Sequence, residues 1–231
     1  MGLSADIDQD QSTPVAIGRL EAVCVVHALK PDAGAVGITA IDKRPLEGPV
    51  KVRKIGLYAD VQVDREHHGG YDQALYAYCS AEAERWGKEL GREIPAGLFG
   101  ENLRVSGVET SDAVVGERWQ LGSRVIVEVT CPRIPCSTFA RHLEEADLVA
   151  RFTERADIGC FLKVIRPGKI HAGDELAVLS RPGHGVRIRD VFRGPTYEQA
   201  QLLLEHRERS GQGIPDKVLR TLPESAAETR H

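Results

Sequence analysis

Residues 125–139 read VIVEVTCPRIPCSTF, and the passage from β-branched residues to paired prolines decides what kind of fold surrounds them. Val125–Thr130 is the clearest strand in the chain. Pro132 and Pro135 fix the backbone φ on either side of Arg133 and cannot continue ladder pairing, so Cys136 is presented from a stiffened turn. A cation at Arg133, if near, and the start of the following helix would both favour thiolate over thiol. The residues alone leave Cys136 open as a reactive or ligating thiol, or as a small core residue. Cys131 belongs to the strand and reads as core, as does Cys24 inside its apolar run.

Outward from this strand, the span from Gly18 to about Leu179 is built of short β-rich runs. Ala22–Ala28 reads as a buried strand, Val50–Ile55 as one with alternating valines, and Ala74–Tyr78 as another. Turn signals separate them: KPDAG, EGP, HHGG, VSGVETSD, QLGS and RPGKIHAGD. This spacing predicts a closed or partly closed β-barrel. Two helices interrupt it. One runs from Ser80, as N-cap, to Leu90 with Gly91 ending it; the other runs from about Ser137 to Ala156 and carries Phe139, Leu143, Leu148 and Phe152.

The texture changes at RPGHG after the barrel region. TYEQAQLLLEHRER opens with Thr196 and Gln199 in a capping-box relation, and IPDKVLRTL makes a further short helix with Pro215 near its start. The expected division is a flexible tail over 1–17, a mainly β domain over 18–180 with a few flanking helices, and a small C-terminal helical domain over 186–231.

Of 231 residues, 42% are hydrophobic and 28% charged, which suits a folded chain. Thirty Lys and Arg against thirty-four Asp and Glu give a formal charge of −4, which argues against a surface made to hold nucleic acid or anionic lipid. The apolar runs fall far short of the roughly 18 residues that span a bilayer, so no membrane partner is expected. The polar, acidic opening is unlike a signal peptide. Five cysteines, an odd number with no CxxC pair, suit reduced thiols in a cytoplasmic protein.

Two other stretches carry candidate chemistry. In DREHHGGYD (Asp64–Asp72), Gly69 and Gly70 could form a backbone nest whose N–H groups face an anion, with Arg65, His67 and His68 beside it; a plain polar loop is the alternative. In GLFGENL (Gly97–Leu103), Glu101 and Asn102 follow a tight turn, which by itself could be turn chemistry alone. GxGxxG, GxxxxGK[ST] and GxSxG are all missing, so the nicotinamide, nucleoside-triphosphate and nucleophile-elbow readings have no motif behind them.

Taken in order, AIDKRPLEGPVKV (Ala40–Val52), GLYADVQVDREHHGGYDQALYAY (Gly56–Tyr78), GLFGENL and PRIPCSTF resemble the MOSC family, named after the C-terminal domain of molybdenum cofactor sulfurase, and within it the YiiM-like bacterial branch. The resemblance covers about 160 residues, and the tail is similar to the three-helix domain that follows the barrel there. It implies a MOSC-type β-barrel binding the molybdenum cofactor, a molybdopterin, with Cys136 as the protein ligand to molybdenum. A soft thiolate suits a metal already held by dithiolene sulfur. It further implies that Lys43, Arg133 and the His68, Gly69, Gly70 nest hold the pterin phosphate, with Asn102 at the pterin edge. Two positions depart from the pattern: Ala59–Asp60 stands where members often carry Gly-Asp, and Thr138 where they often carry a basic residue.

The activity implied is reduction of N-hydroxylated compounds, hydroxylaminopurines or amidoximes, to amines. His68 would supply a proton to the departing oxygen, with Asp64 a second candidate. The chain has neither a flavin motif nor an iron–sulfur cysteine cluster, so an external flavoprotein or ferredoxin-like donor is expected. The alternative is a carrier holding cofactor or sulfur on Cys136 as a thiol or persulfide. A regulatory module with a partner-binding helical tail is a third reading, and the near-neutral tail argues against DNA. The sequence allows a homodimer without fixing one.

Overall fold

The valine-rich run pairs on both sides, with Val125–Pro132 antiparallel to Arg118–Leu121 and to Cys160–Arg166. In the computed structural model, which describes residues 16–34, 36–63, 69–224 and 226, this ribbon continues into a barrel. Cys160–Arg166 pairs with Leu75–Cys79, which runs parallel to Leu103–Ser106, and that strand pairs with Ala16–Val26. Ala16–Val26 then closes the ring on Glu175–Ser180, itself paired with Arg118–Leu121. Among the described residues, seven strands thus form a closed barrel, as expected of a mainly β fold. The parallel pair needs a crossover, and helix Ser80–Leu90 supplies it.

Ala16–Val26 is longer than the predicted strand and begins before residue 18; of the predicted 1–17 tail, residues 1–15 lie outside the described residues. The far end of this strand bends to pair with Lys43–Pro45, which brings Lys43 to the mouth of the barrel. Val50–Arg53 buries Val50 and Val52 and exposes Lys51 and Arg53, the period-two pattern of a strand with one face on the core.

Two helical expectations are corrected. Helix Ser80–Leu90 is N-capped by Cys79, not Ser80: Glu82 returns to the Cys79 N–H, and the Ser80 hydroxyl goes to Glu21 instead. The helix predicted over 137–156 is two, Ser137–Leu143 and Leu148–Arg155. Glu144 ends the first in the left-handed region at φ 57°. The break lets both halves bury aromatics in one cluster. Phe139 meets Phe152 at 4.8 Å and Phe99 at 5.4 Å, and Phe152 stacks on Trp86 at 4.1 Å. Each such pair adds roughly 0.5–1.5 kcal/mol beyond its burial, so the helix that follows Cys136 is firmly anchored.

The C-terminal segment forms helices Ile188–Arg193, Tyr197–Ser210 and Asp216–Leu219, the second with the predicted Thr196–Gln199 capping box. Val186, Ile188, Val191, Leu203 and Val218 join the same hydrophobic core as the barrel strands. Polar contacts reinforce the seam. Asp157 accepts from Arg85 at 3.0 Å, Arg155 at 3.1 Å and Arg189 at 3.0 Å, joining the crossover helix to the tail. His184 accepts from Val186 N through Nδ1 at 3.0 Å, which leaves Nε2 to donate to Val115 O at 3.0 Å, and its ring lies 5.0 Å from that of His206.

Candidate functional site

The turn after Pro132 opens onto a cavity of about 590 Å³ at one end of the barrel. Cys136 lines it. Its backbone, at φ −135° and ψ 168°, caps helix Ser137–Leu143 by accepting from Phe139 N at 3.0 Å and Ala140 N at 3.2 Å. The thiol takes no part in the cap and lines the cavity. Cys136 is also the one cysteine of the five that is not buried. Burial pushes the others toward the inert thiol: Cys24 is raised to about 12 by burial and then by the charge of Glu101, and Cys79, Cys131 and Cys160 are raised chiefly by burial. The core readings of Cys24 and Cys131 agree with this placement.

Arg133 lines the cavity but is largely buried, its guanidinium 4.1 Å over Phe139 and 5.7 Å from the ring centre of Tyr76. A second guanidinium, Arg141, has its pKa raised, first by hydrogen bonding to Asp32. Arg141 grips Asp32 through two bonds of 2.9 and 2.7 Å, and the Thr138 hydroxyl donates to the same carboxylate at 2.9 Å. Asp32 is held well below the usual carboxylate range, chiefly by Arg141. The position where the family pattern has a base thus serves to fasten the first turn of the Cys136 helix to the segment after Pro31. In the sequence, Asp32 had shown only as part of the KPDAG turn.

Lys43 also faces the cavity, but its ammonium is paired with Asp60. Asp60 accepts from Val26 N at 3.0 Å and Asn102 Nδ2 at 2.7 Å as well. Asn102 is a wall member whose amide is committed to the fold: Oδ1 accepts from Tyr76 N at 3.1 Å, and Nδ2 also reaches Cys24 O at 3.3 Å. Its side chain ties three barrel segments together, and little of its hydrogen-bonding capacity is left for a pterin edge.

The glycine pair is engaged within the fold. Gly69 N donates to Gln73 Oε1 at 3.0 Å and Gly70 N to Gln62 Oε1 at 3.1 Å, so neither N–H faces an open anion site. Gly70, at φ 86°, has the left-handed backbone that a side chain would strain. The partners are local: two carboxamides within eight residues occupy these donors. His68 and Asp64, the proton-donor candidates, lie outside the described residues, as do Arg65 and His67. Gln62, Gln73 and Asp60 were therefore missed as members of the site, and no residue-type signal marks a glutamine for such a role.

The donor set suits the implied cofactor in one respect. A single thiol facing a roomy cavity is an adequate protein ligand for a metal that brings its own sulfur ligands. Lys43 and Arg133 are the cationic side chains on the cavity wall and would hold the cofactor's phosphate end. Val36, Ile38, Val61 and Ile134 are exposed and line the mouth, giving it an apolar rim.

The MOSC domain family model matches residues 64–177, a span that includes the glycine pair, the wall strands and the Cys136 turn. The chain is 29% identical over 155 residues to YflK of Bacillus subtilis, covering 67% of this chain and 70% of that one. It is 30% identical over 146 residues to YiiM of Escherichia coli, covering 62% and 65%. A Gibberella moniliformis protein named a reductase is 28% identical over 163 residues, and the match takes in 68% of this chain but 29% of that protein. The crystal structure of YiiM from Geobacillus stearothermophilus superposes with a TM-score of 0.67 at 25% identity, covering 92% of this chain and 96% of that one. The barrel, the cysteine turn and a likeness that extends through the helical tail converge on one conclusion: this chain belongs to the MOSC domain family, in its YiiM-like branch.

Proposed function

We propose that this protein binds the molybdenum cofactor in the barrel-end cavity, with Cys136 as the protein ligand to molybdenum, and reduces N-hydroxylated compounds to amines. The observation that carries the reading is the placement of Cys136, the one unburied cysteine, on the wall of a cavity that also presents Lys43 and Arg133. MOSC domains as a class are associated with this cofactor, and a relative bearing the name reductase is consistent with redox chemistry.

When bound, the cofactor supplies the two-electron removal of oxygen from nitrogen. The balance is R–NHOH plus two electrons and two protons giving R–NH2 and water, with the electrons drawn from an external flavoprotein or ferredoxin-like donor. The chain's own parts bind and orient. Arg133, held between two rings, has a fixed cationic position for the cofactor's phosphate, and Lys43 adds a second whose field Asp60 moderates. The rim of Val36, Ile38, Val61 and Ile134 receives the apolar body of the substrate and excludes water. His68, next to the cavity-lining Gly69, supplies the proton to the oxygen leaving nitrogen, with Asp64 as the second candidate.

The carrier reading has an observation in its favour: it needs only the Cys136 thiol, and the committed glycine N–H groups leave the anion cradle smaller than the family pattern implies. One experiment separates the two. Molybdenum and released pterin are measured per chain in protein from a cofactor-competent host, beside Cys136→Ala, followed by amidoxime reduction with an artificial electron donor. Near-stoichiometric molybdenum with turnover, both lost in the variant, is the expected result. Sulfur loading on Cys136 without turnover would move the function to the carrier, and neither metal nor pterin after reconstitution would overturn the cofactor reading.

A further inference from the structure

Lys217, on the last short helix Asp216–Leu219, donates from Nζ to Gln73 Oε1 at 2.9 Å across 144 positions of sequence. Gln73 is only 6% exposed and lines the cavity. The same Oε1 accepts from Gly69 N at 3.0 Å, while Nε2 of Gln73 points to Cys131 Sγ at 3.7 Å. The carboxamide of Gln73 is thereby held by a cation and a backbone donor on its oxygen side and by a sulfur on its nitrogen side. Its main-chain carbonyl accepts from Gln62 Nε2 at 3.2 Å, and Gln62 Oε1 takes the Gly70 N–H. A bond from a charged donor is roughly twice as strong as a neutral one, so among these contacts the ammonium is the strongest single restraint on the orientation of Gln73.

We infer that Lys217 is a positioning residue of the cofactor cavity: acting through Gln73, it fixes the Gly69–Gly70 turn, and the C-terminal helical segment thereby braces the site's wall from behind. The inference rests on the cofactor reading for its functional consequence, while the strut itself is a matter of local geometry. It also gives the tail a role for which the barrel's own strands offer no substitute, because Gln73 Oε1 faces the seam between barrel and tail. Losing the ammonium leaves the Gln73 amide free to turn over, and the glycine pair loses a fixed acceptor.

The test uses the full chain as wild type, Lys217→Met, Lys217→Arg, Gln73→Met and the double variant Lys217→Met with Gln73→Met. Three quantities are read: melting temperature, hydrogen exchange at the Gly69 and Gly70 amides, and pterin with molybdenum retained after dialysis. Lys217→Met is expected to exchange the Gly69 amide about tenfold faster or more, and to lose cofactor about tenfold faster, the scale of one charged hydrogen bond. Lys217→Arg should restore both. Gln73→Met should reproduce the faster exchange, and adding Lys217→Met to it should change nothing further, since the two act in series. If Lys217→Met alone is too unstable to study, Gln73→Met, which leaves Lys217 in place, still decides: wild-type exchange at Gly69 in that variant would overturn the inference. Wild-type exchange and retention in Lys217→Met, or additive effects in the double variant, would overturn the inference. If the wild type retains no pterin, the cofactor reading fails separately, and the exchange data alone decide whether the strut exists.

Discussion

Two turns in this molecule carry polar or reactive side chains, and the fold uses them in opposite ways. In Gly97–Leu103, Glu101 is fully buried and accepts from Gly97 N at 2.8 Å, Phe99 N at 3.0 Å and Arg104 Nε at 3.0 Å, while Asn102 beside it joins three segments. In the turn from Pro132 to Cys136, the prolines and the helix cap satisfy the backbone, and the Cys136 side chain takes no part in the cap. The carboxylate and amide of the first turn are wiring. The residue with capacity left over faces the cavity.

The contrast can be broken most severely at Glu101. Glu101→Leu leaves the Arg104 guanidinium buried without its carboxylate and should cost about 3–5 kcal/mol in denaturant unfolding. A loss under about 1 kcal/mol would mean that this turn is not wiring. Next in size is an acid effect located at neither turn. His184 is lowered to about 4 by burial and by His206, against an ordinary value of 6.5. Between these pH values the unfolded chain binds the extra proton, so the His184 contribution is complete above about 6.5 and is lost as pH falls toward 4. It amounts to about 3 kcal/mol. Acidification should therefore loosen the tail seam first, seen as hydrogen exchange rising at Val186 while helix Ser137–Leu143 stays protected. That helix is tied to Asp32, whose carboxyl remains ionised below the ordinary carboxylate range.

A smaller effect is expected at Asp32→Ala, which frees the solvent-screened Arg141 and should show as faster hydrogen exchange over 137–141 with little change in global unfolding. The smallest is Cys136→Ser. Its side chain is only partly buried at the edge of the core and takes no part in the cap, so the stability change should stay within about 1 kcal/mol, even though the proposed function would be abolished. A large destabilisation there would return Cys136 to the core and erase the contrast.

The barrel was legible because strands leave a period-two trace, and the valines of Val50–Arg53 and Val125–Pro132 carry it plainly. The break between the helices of 137–155 was written in the spacing as well. Phe139 to Leu143 and Leu148 to Phe152 are each four apart, but Leu143 to Leu148 is five, a phase slip that one straight helix cannot absorb. The glycine pair was read as an anion nest because its backbone freedom is visible in sequence and its partners are not. Gln62 and Gln73 lie close by, yet nothing in a glutamine says whether its oxygen turns inward. Lys217 was out of reach for a plainer reason: its partner is 144 positions away, and only the closed fold brings the two together.

The pairing of Ala16–Val26 with Glu175–Ser180 has a bearing on how the protein is made. The first strand of the barrel waits for the last, so a nascent chain cannot close the ring until Glu175–Ser180 has left the ribosome. Until then, contacts of long sequence separation are unmade and strand edges stand open, the circumstance in which folding is slow and exposed to misassembly. With Lys217 still further along, any cofactor that depends on its brace would be loaded only after all seven barrel strands have been made, into a barrel that is already shut.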